Sequence, residues 1–166
     1  ANVAQVRVGS TNALDLSFFG GIVDGAASYN FLIQGGGISL YDIAMAGATV
    51  ADIFFPTPVT PKTSFHRQAL RAQRPCPQVG LIKMFGGHSE SRGMLLYAPK
   101  PPTAPNSYAA TGSVIVGFED AGARTGLSIL YRHAAPLTIL HTCIAGGVQV
   151  EAPAVLFQHG VRMNHL

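Results

Sequence analysis

Hydrophobic and polar residues alternate over short runs along most of the chain. In the first run, residues 3–8, Ala4, Val6 and Val8 fall on one face and two polar side chains on the other. This period of two is typical of a β-strand with one buried face. Comparable β-rich runs follow at 14–18, 29–33, 38–45, 49–55, 79–85, 94–98, 113–118, 126–133, 137–144, 148–151 and 154–159.

The spacing of these runs predicts an all-β fold. About ten short strands, separated by turns rich in glycine and proline, are typical of an antiparallel sandwich or a jelly-roll or barrel-like domain. The loop Gly86–Gly93 lies between the runs 79–85 and 94–98, and we interpret this segment as a hairpin with a long polar tip. Residue matching reveals no internal repeat.

One segment departs from the β pattern. The proline-rich connector 56–61 leads into a predicted helix over 64–74, which Thr63 or Ser64 can cap and Arg74-Pro75 ends. At 166 residues the chain fits one domain, 1–166, with a possible lobe junction near 56–78.

Composition adds a functional clue. Charged residues make up 11% of the chain, against about 25% in an average soluble domain. Interface cores are depleted of charge, so the shortage favours a surface that other subunits partly cover. A surface rich in hydroxyl groups is the alternative.

The remaining bulk properties exclude few classes of protein. A net charge of +3 without aromatic residues among clustered cations does not favour nucleic-acid binding. No run is long and apolar enough to predict a membrane span. Cys76 and Cys143 have no metal-ligand spacing, and both a disulfide and two thiols stay open. Ala1 fits removal of an initiator methionine or cleavage of a signal peptide.

Two groups of residues are candidates for partner binding. Arg67, Arg71 and Arg74 line one face of the predicted helix and suit an acidic neighbouring subunit, although a solvated helix face is the simpler explanation. The loop residues His88, Glu90 and Arg92 concentrate polar groups between glycines, either as a mobile loop or as a recognition surface.

No pattern of catalytic or metal-ligating residues is present. The sequence has no His-Glu-x-x-His motif, no Gly-x-Ser-x-Gly elbow and no phosphate-binding loop. The acidic residues are scattered, so no pair of carboxylates is singled out. We therefore predict no catalytic residue, no metal and no cofactor.

These observations support three hypotheses. The first is a non-enzymatic structural subunit of a homo-oligomeric assembly, in a virus particle assembled in the host cytoplasm (a capsid decoration, collar or tail component), with copies of itself and neighbouring structural proteins as partners. The second is a carbohydrate- or receptor-binding module, secreted as the alternative location, using Gly86–Gly93 and the four tyrosines Tyr29, Tyr41, Tyr97 and Tyr108. The third is a small hydrolase or metal enzyme using His88, His133, His141 and His159.

Overall fold

The chain folds into short strands that follow one another without a helix in the part that is described. The computed structural model describes residues 3–8, 16–33, 37–56, 81–99, 112–122, 126–132, 136–151 and 156–163. No helix there is long and apolar enough to cross a membrane. The strands are β1 (Ala4–Val8), β2 (Leu16–Phe19), β3 (Ile22–Val23), β4 (Tyr29–Ile33), β5 (Gly37–Tyr41), β6 (Ala44–Met45), β7 (Ala51–Phe54), β8 (Leu81–Phe85), β9 (His88–Ser89), β10 (Met94–Ala98), β11 (Ser113–Val116), β12 (Glu119–Asp120), β13 (Leu127–Tyr131), β14 (Leu137–Leu140), β15 (Cys143–Ile144), β16 (Gly147–Val150), β17 (Leu156–His159) and β18 (Arg162–Met163).

Every strand pairs in parallel with the strand three places before or after it. The pairs build three six-stranded sheets: sheet A (β1-β4-β7-β10-β13-β16), sheet B (β2-β5-β8-β11-β14-β17) and sheet C (β3-β6-β9-β12-β15-β18). The chain therefore visits sheets A, B and C once in each coil, and six coils stack from β1–β3, the first coil, to β16–β18, the sixth. This arrangement is that of a parallel β-helix, a solenoid in which each coil contacts its neighbours.

The prediction of an antiparallel sandwich or jelly roll is wrong, and so is the predicted hairpin. β8 lies in sheet B and β10 in sheet A, while His88–Ser89 forms β9 of sheet C between them. The polar loop Gly86–Gly93 therefore consists of β9 and the two corners of the coil on either side of it. Alternation and turn spacing are the same in both folds, but parallel neighbours need a long connection, which the other two strands of each coil provide. The predicted helix 64–74 and the possible lobe junction near 56–78 lie almost wholly outside the described residues.

The coils are structural repeats that residue matching misses. Leu16 and Ile22 of the first coil pair with Ile38 and Ala44 of the second, and Tyr29 of the second coil pairs with Ala51 of the third, each at an offset of 22 positions. Ala4 of β1 pairs with Tyr29 of β4 at an offset of 25. Connections between sheets A and B vary in length and shift this offset from coil to coil. The corner between sheets B and C always has two residues, and its first residue has a left-handed φ of +48° to +67°: Gly20, Asp42, Gly86, Gly117, His141 and Gly160.

The core consists of columns of like residues inside the three sheets. Inward side chains lie between neighbouring coils and face the other sheets, so the inward positions of successive strands are apolar and buried. In sheet A one column is Phe31, Ile53, Leu96 and Ile129, each fully buried. In sheet B, Leu40, Met84, Ile115 and Ile139 form another.

Buried polar groups interrupt these columns where sheet C turns into sheet A. The Asp52 carboxylate accepts hydrogen bonds from Asn30 Nδ2 at 2.7 Å and from the hydroxyls of Ser89 and Ser91, both at 2.5 Å. One coil further on, Asp120 Oδ2 accepts from the Ser128 hydroxyl at 2.6 Å and from the backbone N–H of Ala145 at 3.1 Å. A buried carboxylate without hydrogen-bond donors would destabilise the fold, and these donors satisfy the carboxylates of Asp52 and Asp120.

An ion pair joins the last two coils at the end of sheet A. Arg132 Nη2 donates to Glu151 Oε1 at 2.8 Å, and Nε lies 2.5 Å from Oε2 as a charge contact. Arg132 Nη1 also donates to the carbonyl of Pro99 at 3.2 Å. The hydrogen bond from Arg132 holds the pKa of Glu151 below its ordinary value and raises the pKa of Arg132.

We expect this ion pair to make stability depend on pH. Because the folded-state pKa of Glu151 is lowered, its contribution is present above the unfolded-state value and is lost as the pH falls through the folded-state value, which lies below 4.5. In urea unfolding, Glu151→Gln should be less stable than the wild type at neutral pH, and the difference should be smaller at about pH 3. A difference of the same size at both pH values would contradict the prediction.

Candidate interaction surface

Exposed large hydrophobic side chains concentrate on the first coil. Of the six such residues in the described part of the chain, Val3 precedes β1, Leu16 and Phe19 lie on β2, and Ile22 lies on β3. The exposed fraction is 74% for Phe19 and 76% for Ile22. Such a cluster on a soluble protein marks an interaction site more often than scattered apolar residues do. These four residues are called the first-coil surface below.

The first coil has the sequence character of an interior coil. Leu16 stands in the same inward column as Ile38, which is fully buried one coil further on. Phe18, the next inward residue of β2, packs edge-on against Phe31 at 5.8 Å. Among the described strands, those of the first coil pair on one side, with β4, β5 or β6. Leu16 is thus exposed on the strand that lies at the edge of sheet B as described.

An aromatic stack on the outer face of sheet B ends at this surface. The rings of Phe19 and Tyr41 are 4.7 Å apart and inclined by 7°, and those of Tyr41 and Phe85 are 5.2 Å apart and inclined by 14°. Register explains the stack, because these residues occupy the same position in β2, β5 and β8. Tyr41 has a neighbour on both ring faces, whereas Phe19 ends the stack and extends the apolar surface.

The opposite end of the solenoid is more polar. In the column of Leu40 and Ile139, the sixth coil carries Gln158, which is exposed. His159 and Arg162 beside it are exposed as well, and Phe157 is the one exposed large hydrophobic residue described there. Solenoids need end coils with a polar outer face to remain soluble. By this criterion the sixth coil resembles a cap and the first coil does not.

Charge is sparse at the first coil. The described residues of this coil, 3–8 and 16–28, include one cation, Arg7, and one carboxylate, Asp24. The surface is therefore close to neutral and suits an apolar partner better than an acidic or basic one.

The partner-binding residues predicted from the sequence lie elsewhere. His88 points outward from β9, and its Nε2 is 3.9 Å from Glu90 Oε1; both side chains are exposed. Arg92 is exposed in the next corner. The structure thus brings His88 and Glu90 together on the third coil. Arg67, Arg71 and Arg74 lie outside the described residues.

The residues named for the enzyme hypothesis do not meet in one place. His141 and His159 contact each other with ring centroids 5.4 Å apart, whereas His88 lies on the third coil and His133 outside the described residues. Within the described ranges no group of three or more His, Cys, Asp or Glu side chains could hold a metal ion. Asp52 and Asp120 are buried and closed off from a substrate. Burial also raises the pKa of Tyr131 to about 12, so its hydroxyl stays protonated near neutral pH.

The tyrosines named for carbohydrate binding are engaged with other rings. Phe54 stacks on Tyr29 at 4.4 Å and on Tyr97 at 5.3 Å, and Tyr41 lies between Phe19 and Phe85. A sugar ring needs an open aromatic face, which Tyr41 lacks because it is the middle ring of its stack. Tyr29 and Tyr97 are the end rings of theirs. Tyr108 lies outside the described residues.

The sequence contained one signal for the first-coil surface that its analysis missed. Phe18-Phe19 and Ile22-Val23 are pairs of adjacent apolar residues in strands with one inward face, so one member of each pair must point outward. Comparison with known proteins supplies no family for the chain, since no protein-family model, curated protein or solved structure matches it. An interpretation of function therefore depends on the geometry described above.

Proposed function

We propose that this chain is a non-enzymatic structural protein that assembles with a second copy of itself through the first-coil surface. The observation that supports this most directly is the contrast between the two ends of the solenoid. Phe19 and Ile22 are about three-quarters exposed at the first coil, while the sixth coil places Gln158 in a core column. The first coil thus has the character of an interior coil at the edge of the described sheets, and this supports a partner that covers it.

A second first coil is the cover that best matches this surface. In a head-to-head dimer, a two-fold axis sets Phe19 and Ile22 against the same apolar patch of the other copy. The strand edges of the first coil, which pair on one side in the chain itself, would also meet an edge of the partner. In a head-to-tail stack, Phe19 of one copy would instead lie next to His159 and Arg162 of the other. Less apolar surface would then be buried between the two copies.

The other hypotheses have weaker support. Catalysis needs an accessible constellation of polar groups, and it is disfavoured by the burial of Asp52 and Asp120 and by the placement of His88 on a different coil from the His141–His159 pair. Carbohydrate binding at Tyr41 is disfavoured because its ring has a neighbour on both faces. A location in a virus particle stays a prediction from composition.

Replacing Phe19 and Ile22 together by Asp tests the proposal. We expect the wild type to be a dimer in sedimentation equilibrium and the double variant to dissociate at least ~100-fold more readily, because each apolar side chain contributes roughly 1.5–3 kcal/mol on burial. Both side chains are exposed in the single chain, so the variant should retain the far-UV circular dichroism of the wild type. The matched control is Phe157→Asp, which introduces a charge at an exposed phenylalanine of the sixth coil.

Two outcomes would overturn the proposal. A wild-type chain that stays monomeric at concentrations of about 100 μM would show that its first-coil surface does not bind a second copy with useful affinity. Dissociation caused by Phe157→Asp to the same extent would indicate a head-to-tail contact, which has no two-fold axis and grows into filaments.

A further inference from the structure

His141 has a backbone conformation that side chains rarely adopt. It is one of two non-glycine residues with positive φ in the described part of the chain, at +48°, and the other is Asp42, at +53°. At the same corner position the remaining four coils have glycine. A strained non-glycine residue suggests that its side chain has a role at that place.

The corner holds the imidazole of His141 over the sixth coil. A Cβ atom on Gly160 would lie 2.6 Å from His141 Nδ1, so the absence of a side chain at Gly160 makes room for the ring. The backbone N–H of His141 donates to the carbonyl of His159 at 2.9 Å, which fixes the two residues side by side. Their rings meet edge to face, with centroids 5.4 Å apart and planes inclined by 85°.

We propose that His141 and His159 form a two-imidazole site for a divalent first-row transition-metal ion, which joins the sixth coil to the fifth. Imidazole nitrogen is a preferred ligand of Ni²⁺, Cu²⁺ and Zn²⁺, at about 2.0–2.1 Å for Zn²⁺. Both side chains are exposed, so small rotations bring one nitrogen of each ring to a common ion. Water fills the remaining coordination positions, as expected for an ion with two protein ligands.

The second strained corner lacks a partner ligand and serves as an internal comparison. Asp42 lies over Gly86 as His141 lies over Gly160, since a Cβ atom on Gly86 would come within 2.0 Å of the Asp42 carboxylate. The residue before Gly86 is Phe85, whereas the residue before Gly160 is His159. Only the corner of the fifth coil therefore combines the strained conformation with two imidazoles.

Titration of the untagged full chain with Ni²⁺ tests the site by calorimetry. We expect His141→Asn, whose side chain tolerates the left-handed conformation, and His159→Gln to weaken binding at this site at least tenfold. The matched control His88→Gln removes an exposed imidazole of the third coil and should leave this binding unchanged. Ni²⁺ avoids the thiol oxidation that Cu²⁺ would cause at the cysteines.

Hydrogen exchange supplies a second readout that depends on the location of the ion. Ni²⁺ should slow amide exchange in β17 and β18 of the wild type, with no such effect in His141→Asn. Equal Ni²⁺ affinity in the wild type and both histidine variants would overturn the proposal, and so would unchanged exchange in these strands. The site lies at the opposite end from the first-coil surface, so failure of the dimer proposal leaves this expectation intact.

Discussion

Replacing Asp52 with alanine is expected to lower the free energy of unfolding by about 3–5 kcal/mol. The carboxylate accepts hydrogen bonds from Asn30, Ser89 and Ser91, and all four side chains are buried. Alanine removes the acceptor and leaves three donors in a closed interior, each of which costs about 1–3 kcal/mol when unsatisfied.

Urea unfolding followed by far-UV circular dichroism measures this loss. Asp24→Ala is the matched control, because Asp24 is an exposed carboxylate of the corner before β4, and its removal should change stability by less than about 0.5 kcal/mol. Asp52→Asn retains one acceptor oxygen and should fall between the wild type and Asp52→Ala. A loss below about 1 kcal/mol for Asp52→Ala would show that the donors find other partners.

The buried network also shows what sequence analysis can and cannot provide. Strand content could be predicted, since runs such as 113–118 and 137–144 contain β11, β14 and β15. The direction of pairing could not, because alternation describes a strand but not its neighbour. The role of the scattered acidic residues could not be predicted either, because it depends on the fold. The fold places Asp52 one coil away from Asn30 and within hydrogen-bond distance of Ser89 and Ser91.

Corners that lie inside apolar runs explain why the pattern of hydrophobic residues does not predict the coils. The run 38–45 looks like one strand, yet Asp42 turns the chain with φ +53° and separates β5 from β6. Ile43 is apolar because it is buried at the corner, not because it continues the strand. A two-residue corner that keeps one residue buried leaves little trace in a hydrophobicity pattern.

The candidate surface was only partly visible in the sequence. The pairs Phe18-Phe19 and Ile22-Val23 require one outward apolar residue each, but only the stacking order shows that they belong to the first coil. His88 and Glu90 lie at the surface, whereas a role in partner binding stays a prediction. The overall shortage of charge pointed to covered area, and the first coil is where the described residues concentrate apolar exposure.

Replacing Gly87 with alanine should destabilise the fold about as strongly as loss of Asp52, by roughly 3–5 kcal/mol. Gly87 is the second residue of the corner in the third coil and has φ +85°. A Cβ atom there would lie 2.3 Å from the carbonyl oxygen of Ile43 and 2.8 Å from its nitrogen, so backbone atoms of the second coil would have to move. That movement would disturb the hydrogen bond from His88 N–H to the same carbonyl.

Gly21 separates the effect of crowding from that of backbone strain. It occupies the same corner position in the first coil with φ +99°, and a Cβ atom there would meet nothing within 4 Å. Gly21→Ala should therefore lower stability by only the left-handed strain, about 1–2 kcal/mol. The clash at Gly87 arises from Ile43 of the second coil. The difference in free energy of unfolding between the two variants in urea therefore measures how tightly successive coils pack. Equal losses for both would mean that the corner of the third coil can open without disturbing the stack.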